Sequence, residues 1–129
     1  MKVLVTGSRD WKNRAAIKRE LCKLPPGSTI VHGDCETGSD ALTDAVAREL
    51  GFTVRKYPAD WDAAAVRGNR NSAGPIRNSV MIRSEHPDKE GKPIDFGLAF
   101  TEDFDRSRGT RDCTLKARKA GIRVDVFST

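Results

Sequence analysis

The chain is poor in the residues that build covalent or metal-held folds. It carries three cysteines in 129 residues, Cys22, Cys35 and Cys113, with no Cys-x-x-Cys pair among them. So odd and widely spaced a set argues against a disulfide framework and against a structural zinc site. Aromatic residues make up only 6% of the chain, too few for the aromatic-studded groove of a single-stranded nucleic-acid binder. No apolar run approaches the ~20 residues of a membrane span, so no membrane association is expected. The opening stretch Val3 to Val5 is only a strand's length, which leaves no signal peptide and makes the cytoplasm the expected location. Internal repeats and low-complexity stretches are missing too, and no spacing calls for a metal or a cofactor.

What is present suits one globular domain over residues 1–129, long enough for a core and too short for two ordinary domains. The chain has 23 Lys and Arg against 18 Asp and Glu, a formal net charge of +5. A modest positive field attracts nucleotides, phosphorylated metabolites or nucleic acid without choosing among them, and it serves solubility equally well.

Strand and helix patterns alternate along the chain. Strands are expected at Lys2–Thr6, Ser28–His32, Phe52–Tyr57, Asp95–Phe100 and Ile122–Phe127. Helices are expected at Asn13–Leu24, Ser39–Leu50, Ile76–Arg83 and Thr110–Ala120. The polar segment Ser84–Pro93 reads as an exposed excursion. This alternation implies an α/β fold, a Rossmann-like three-layer sandwich around a five-stranded parallel sheet of order 3-2-1-4-5. Ligands of such sheets bind outside the strand carboxyl ends, at the point where the strand order reverses.

The residues suited to an anion fall at those ends. Thr6-Gly7-Ser8-Arg9-Asp10 follows the first strand, where a small-residue turn opens backbone N–H groups and Arg9 supplies countercharge. The same turn with a solvated Arg9 would be an ordinary strand–helix connection. The second strand runs into His32-Gly33-Asp34-Cys35-Glu36-Thr37-Gly38-Ser39-Asp40. No Lys-Ser/Thr follows Gly38, so this is not a P-loop, and it is not the Gly-x-Gly-x-x-Gly fingerprint either. Gly38 and Ser39 nonetheless stand at a helix N-terminus, where free N–H groups and the helix dipole favour an anion. Asp40 suits either a helix cap or an acceptor of ribose hydroxyls, and His32 suits a structural hydrogen bond at least as well as catalysis.

Trp61, after Tyr57-Pro58-Ala59-Asp60, suits stacking on a base or covering the sheet end. Arg67, Arg70, Arg77 and Arg83 concentrate positive charge, and Arg77-Asn78 is expected to open a helix after Gly74-Pro75. In Ser107-Arg108-Gly109-Thr110, Gly109 permits close approach, Thr110 is a candidate cap, and the amides that follow can hold a phosphate. Asp112 is expected in the first helical turn, complementing the dipole or serving as a general acid or base. Cys35 and Cys113 fall in the candidate ligand loops, where small loop filler is their favoured reading.

Taken together, Val-Thr-Gly-Ser-Arg-Asp-Trp, His-Gly-Asp-x-x-x-Gly-Ser-Asp, Tyr-Pro-Ala-Asp-Trp, Ala-Gly-Pro-x-Arg-Asn-x-x-Met and Ser-Arg-Gly-Thr-x-Asp resemble the YspA-type branch of the SLOG superfamily, over Lys2 to Val126. The resemblance implies a Rossmann-like domain that binds nucleotides or nucleotide derivatives, ADP-ribose-like molecules above all. The superfamily also holds the Lonely Guy phosphoribohydrolases, which cleave the N-glycosidic bond of nucleoside monophosphates. By that likeness Arg77 matches their functional Arg, and Ser107-Arg108-Gly109-Thr110 matches their phosphate loop. Their catalytic Glu would fall at Cys113, one residue beyond Asp112, and their Pro-Gly-Gly lead-in is replaced by Asp105-Arg106-Ser107. Binding or sensing of a nucleotide-derived small molecule is therefore the leading expectation. The alternative is an N-glycosidic hydrolase using Asp112 and Arg77. Single-stranded nucleic-acid binding, suggested by the related DNA-uptake protein DprA, ranks below both. A homodimer or higher homo-oligomer fits the habit of single-domain relatives that complete their sites across a dimer.

Overall fold

A computed structural model describes residues 1–62, 68 and 72–128. Its sheet is five-stranded and parallel, with the order β3-β2-β1-β4-β5. The strands are β1 (Lys2–Gly7), β2 (Thr29–His32), β3 (Thr53–Lys56), β4 (Phe96–Phe100) and β5 (Val124–Phe127). The helices between them are α1 (Arg14–Leu21), α2 (Gly38–Glu49), α3 (Ala73–Glu85) and α4 (Arg108–Lys119). This is the expected Rossmann-like arrangement. No helix among the described residues is long and apolar enough to cross a membrane.

The layering follows from the period-two alternation of a strand covered on both faces. Val3, Val5, Ile30, Leu98 and Phe100 point to one side, into a core shared with Ile17, Leu21 and Val46 of α1 and α2. Leu4, Val31, Ala99 and Val124 point to the other, against Met81 and Ile82 of α3 and Cys113 and Ala117 of α4. Each helix pair packs side by side. The chain thus crosses to opposite faces on either side of β1, and the crevice of a topological switch point lies at the carboxyl ends of β1 and β4.

Several boundaries differ from the sequence expectation. The first helix ends at Leu21, short of Leu24, because a residue before proline is pushed out of the helical region and Pro25 follows. Its N-cap is Asn13, whose Oδ1 accepts from the Ala16 amide at 3.1 Å. The third helix starts at Ala73, not Ile76. Gly74-Pro75 sits inside its first turn, where the missing proline N–H has no intrahelical partner to lose. Arg77 and Asn78 therefore lie in the second turn and do not open the helix.

Ser84–Pro93 is not a free excursion. Ser84 and Glu85 complete α3. Asp88 Oδ1 accepts from the amides of Glu90 and Lys92, each at 2.9 Å. Lys2 Nζ ties the segment to β1, 3.1 Å from Glu85 and 2.8 Å from Asp88.

Candidate functional site

The turn after β1 is held from below by Trp11. Its ring is buried against Phe100 with centroids 5.7 Å apart, and its Nε1 donates to the Asn13 carbonyl at 3.0 Å. This anchor brings the turn onto the start of α2. The Ser39 amide donates to the Ser8 carbonyl at 3.0 Å, and Thr37 Oγ1 donates to the Arg9 carbonyl at 3.1 Å. Ser39 is fully buried, so its N–H, expected to be open to an anion, is spent on joining two loops. A Cβ on Gly7 would run into the Ser39 side chain and the Phe100 carbonyl, and one on Gly38 into the backbone of Ser8 and Arg9. The two glycines are needed here for loop-to-loop packing. Ser8 Oγ donates to Asp10 within its own turn, and the Arg9 guanidinium lies 5.1 Å over the Trp61 ring.

The end of β2 carries buried polar chemistry. His32 is fully buried with both ring nitrogens engaged. Nδ1 accepts from the Asp34 amide at 2.9 Å, so Nε2 carries the proton and donates to Asp44 Oδ1 at 2.9 Å. That is the structural role of the two weighed for it. Asp40, 6% exposed, does not cap α2. Its Oδ2 accepts from the Cys35 amide at 3.1 Å across the loop, and its Oδ1 has no hydrogen-bond partner among the described residues. Burial pushes the Asp40 carboxyl above the usual carboxylate range, opposed by the Cys35 hydrogen bond and by the positive charge of Arg77.

Arg77 draws the remaining segments together. Nη1 donates to the Gly33 carbonyl, and to the Tyr57 carbonyl at 3.3 Å, while Nε donates to Asn78 Oδ1 at 2.9 Å. A Cβ on Gly33 would collide with this guanidinium, so glycine there is what admits Arg77. Asn78 is buried and passes the network on, its Nδ2 donating to Asp112 Oδ2 at 3.0 Å and to the Gly109 carbonyl at 3.3 Å. Asp112 also pairs with Lys116 at 3.0 Å. It stands in the second turn of α4, not the first as expected. The cap of α4 is Ser107, whose hydroxyl pairs with that of Thr101. Thr110, expected as the cap, is buried inside the helix. Gly109 is open, with nothing within 4 Å of an added Cβ, and Arg108 is exposed. The amides of Gly109 and Thr110, in the first turn, have no acceptor within the helix.

Cys113 is not in a loop. It is fully buried in the core beneath α4, and burial pushes its thiol up to about 12, against a hydrogen bond with Thr6. A disulfide reagent applied to the native protein is expected to titrate Cys22, which is exposed, and Cys35, which is partly so, and to reach Cys113 only after denaturation. Rapid reaction of all three thiols would contradict the burial.

Arg67 and Arg70, part of the cationic segment read from the sequence, lie outside the described residues, while Arg83 is exposed on α3. Sequence reasoning missed a groove of about 180 Å³ beside Arg77, lined by Tyr57, Pro58, Asp60, Ala73, Ile76 and Val80. The available signal was the spacing of Ala73, Ile76, Arg77 and Val80, which puts one stripe of α3 on that side while Asn78, Met81 and Glu85 face the sheet.

The three-layer parallel sheet, with small-residue loops, Arg77 and the buried Asp40 at the carboxyl ends of its strands, places the chain in the Rossmann-like class. Within it, residues 1–63 match the family described as YspA, cpYpsA-related SLOG. Gene 61 protein of Mycobacterium phage D29 is 38% identical over 135 residues, covering 98% of this chain and 95% of the relative. The chain belongs to the YspA, cpYpsA-related SLOG family. The matched segment holds Thr6–Asp10 and His32–Asp40, whereas Arg77 and Asp112 lie beyond it.

Proposed function

We propose that the protein binds a nucleotide or nucleotide derivative of the ADP-ribose kind at the carboxyl ends of β1, β2 and β4, with a phosphate on Arg77. The observation that carries this reading is the state of that guanidinium. Among the described residues it pairs with no carboxylate, yet two backbone carbonyls and Asn78 hold it in one orientation on a groove wall. A fixed guanidinium at the strand carboxyl ends, with both Nη2 hydrogens unspent among the described residues, is suited to a charge-assisted contact with an anion. Family membership supports nucleotide-related binding or processing in general; the ligand class is our reading.

Binding is favoured over cleavage because Asp112, the candidate acid or base, is already engaged by Asn78 and Lys116. Cys113, at the position matching the Lonely Guy glutamate, is closed off in the core.

Thermal denaturation with ADP-ribose, NAD, AMP and cyclic nucleotides tests the proposal. A ligand at 100 times its Kd stabilises by about 2.7 kcal/mol, a rise in Tm on the order of 10 °C for a domain of this size. Arg77→Ala is expected to abolish the rise and Arg77→Lys to restore part of it. If no panel member raises Tm, the nucleotide reading fails.

A further inference from the structure

Helix α3 has two faces. Gly74, Asn78, Met81, Ile82 and Glu85 are buried. Ala73, Ile76, Arg77 and Val80, at i, i+3, i+4 and i+7, line the groove whose other wall is the chain leaving β3. Ile76 is 47% exposed and Val80 38%. Both are β-branched, a residue type that loses side-chain freedom in a helix and gains little there without burial. Folding of the described residues leaves these two apolar surfaces unpartnered, on either side of the one cation that faces the groove.

We infer that this groove seats the heterocyclic base of the nucleotide, with Arg77 in its wall taking the phosphate; the inference rests on the nucleotide reading above. Size supports a base. Pockets that enclose whole drug-sized molecules run to roughly 300–1,000 Å³, and at about 180 Å³ this one takes a single ring system. Shape and chemistry agree. The Tyr57 and Pro58 rings form one side and the aliphatic chains of Ile76 and Val80 the other, so a flat heterocycle meets apolar surface on both faces. The aromatic wall is also fixed in advance, because the Tyr57 hydroxyl donates to the buried carboxylate of Glu85. Charge distinguishes a nucleotide from a purely apolar occupant: Arg77 calls for an anion, and the Asp60 carboxylate in the same lining keeps that anion at Arg77. Trp61, which the sequence left between stacking on a base and covering the sheet end, lies under the Arg9 guanidinium and does not line this groove.

The test compares AMP with ribose 5-phosphate, which keeps the sugar and phosphate but lacks the base, by calorimetric titration of the full chain. The wild type is expected to bind AMP at least about tenfold more tightly. Val80→Asp, which also sets a carboxylate one turn from Arg77, is expected to weaken both compounds and to lower AMP affinity about tenfold further than that of ribose 5-phosphate. Ile76→Ser, at the other exposed position, should act in the same direction, and Tm without ligand checks that both variants fold. Equal affinity for the two compounds would overturn the inference. So would normal AMP binding by Val80→Asp alongside its loss in Arg77→Ala, a result that leaves the nucleotide reading standing. Failure of the wild type to bind either compound would overturn the inference, and the nucleotide reading falls with it only if ADP-ribose, NAD and the cyclic nucleotides also fail to bind. If Val80→Asp splits a dimer in sedimentation and leaves AMP affinity intact, the groove is an interface between two copies and the inference fails.

Discussion

Gly38→Ala is expected to destabilise the fold by roughly 2–5 kcal/mol, the sum of a left-handed backbone penalty of ~1–2 kcal/mol and an overpacking cost of ~1–3 kcal/mol. Gly38 has φ +73°, a conformation that L side chains rarely adopt. In addition, the new methyl would press on the carbonyls of Ser8 and Arg9, which are backbone atoms and cannot swing aside. Gly51→Ala separates the two terms, because Gly51 has φ +78° with nothing within 4 Å of its Cβ position. That variant should show only the backbone penalty. Urea denaturation of both, read at constant slope, measures the difference. Equal losses would mean that the contact between the turn after β1 and the start of α2 is not tight. The same contact shapes the candidate site, so Gly38→Ala should also weaken ligand binding more than Gly51→Ala does.

The second large effect lies at the C-terminal end of α3. Glu85 is 2% exposed and meets Lys2 at 3.1 Å, Arg55 at 2.8 Å and the Tyr57 hydroxyl. Removing one member of a buried pair strands the other, at a cost of about 3–5 kcal/mol. Glu85→Ala is expected near the lower figure, because Asp88 still faces Lys2 at 2.8 Å. Burial by itself would raise the Glu85 carboxyl, yet hydrogen bonds from Tyr57, Lys2 and Arg55 outweigh it and hold it below its ordinary value. The Lys2 hydrogen bond, with those from the Lys92 and Glu90 amides, depresses Asp88 further.

For carboxylates lowered in the folded state, the stabilisation is complete above the unfolded value of about 4 and is lost as pH falls through the folded one. Stability should therefore drop on acidification below about pH 4, and Glu85→Gln should make that drop shallower. Tyr57 has the opposite sign. Burial and the Glu85 hydrogen bond push its hydroxyl from 10.0 up to about 12, so its contribution is complete below pH 10 and is lost as pH rises toward 12. Urea midpoints across pH, wild type against Glu85→Gln, measure both limbs. An unchanged acid limb would remove the cluster from the account.

The sheet was legible because its central strands are buried on both faces and read as unbroken apolar runs, Val3-Leu4-Val5 and Ile30-Val31. The candidate loops were legible because each small-residue segment follows a strand, and a parallel sheet brings all such ends to one edge. The buried charge cluster was not. Lys2 and Arg55 are far in sequence from Glu85 and Asp88 and leave no local pattern with them, so Ser84–Pro93 read as solvated. Helix α3 was read too short because Gly74-Pro75 looks like a break, although proline in a first turn is tolerated. Gly7, Gly33 and Gly38 were legible as parts of small-residue loops, but not what packs against them: Ser39 at Gly7, Arg77 at Gly33 and Arg9 at Gly38. Such contacts depend on tertiary placement, and so do the burial of Thr110 and the Ser39–Ser8 hydrogen bond.

The central claim is that a nucleotide sits at the carboxyl edge of the sheet, on Arg77. Amide chemical-shift mapping during titration with ADP-ribose tests it most directly. The expected result is a set of saturable shifts concentrated in residues 33–40, 57–60 and 76–80, absent in Arg77→Ala. Shifts confined to the opposite edge, around Thr29 and residues 88–95, or no saturable shifts at all, would contradict it.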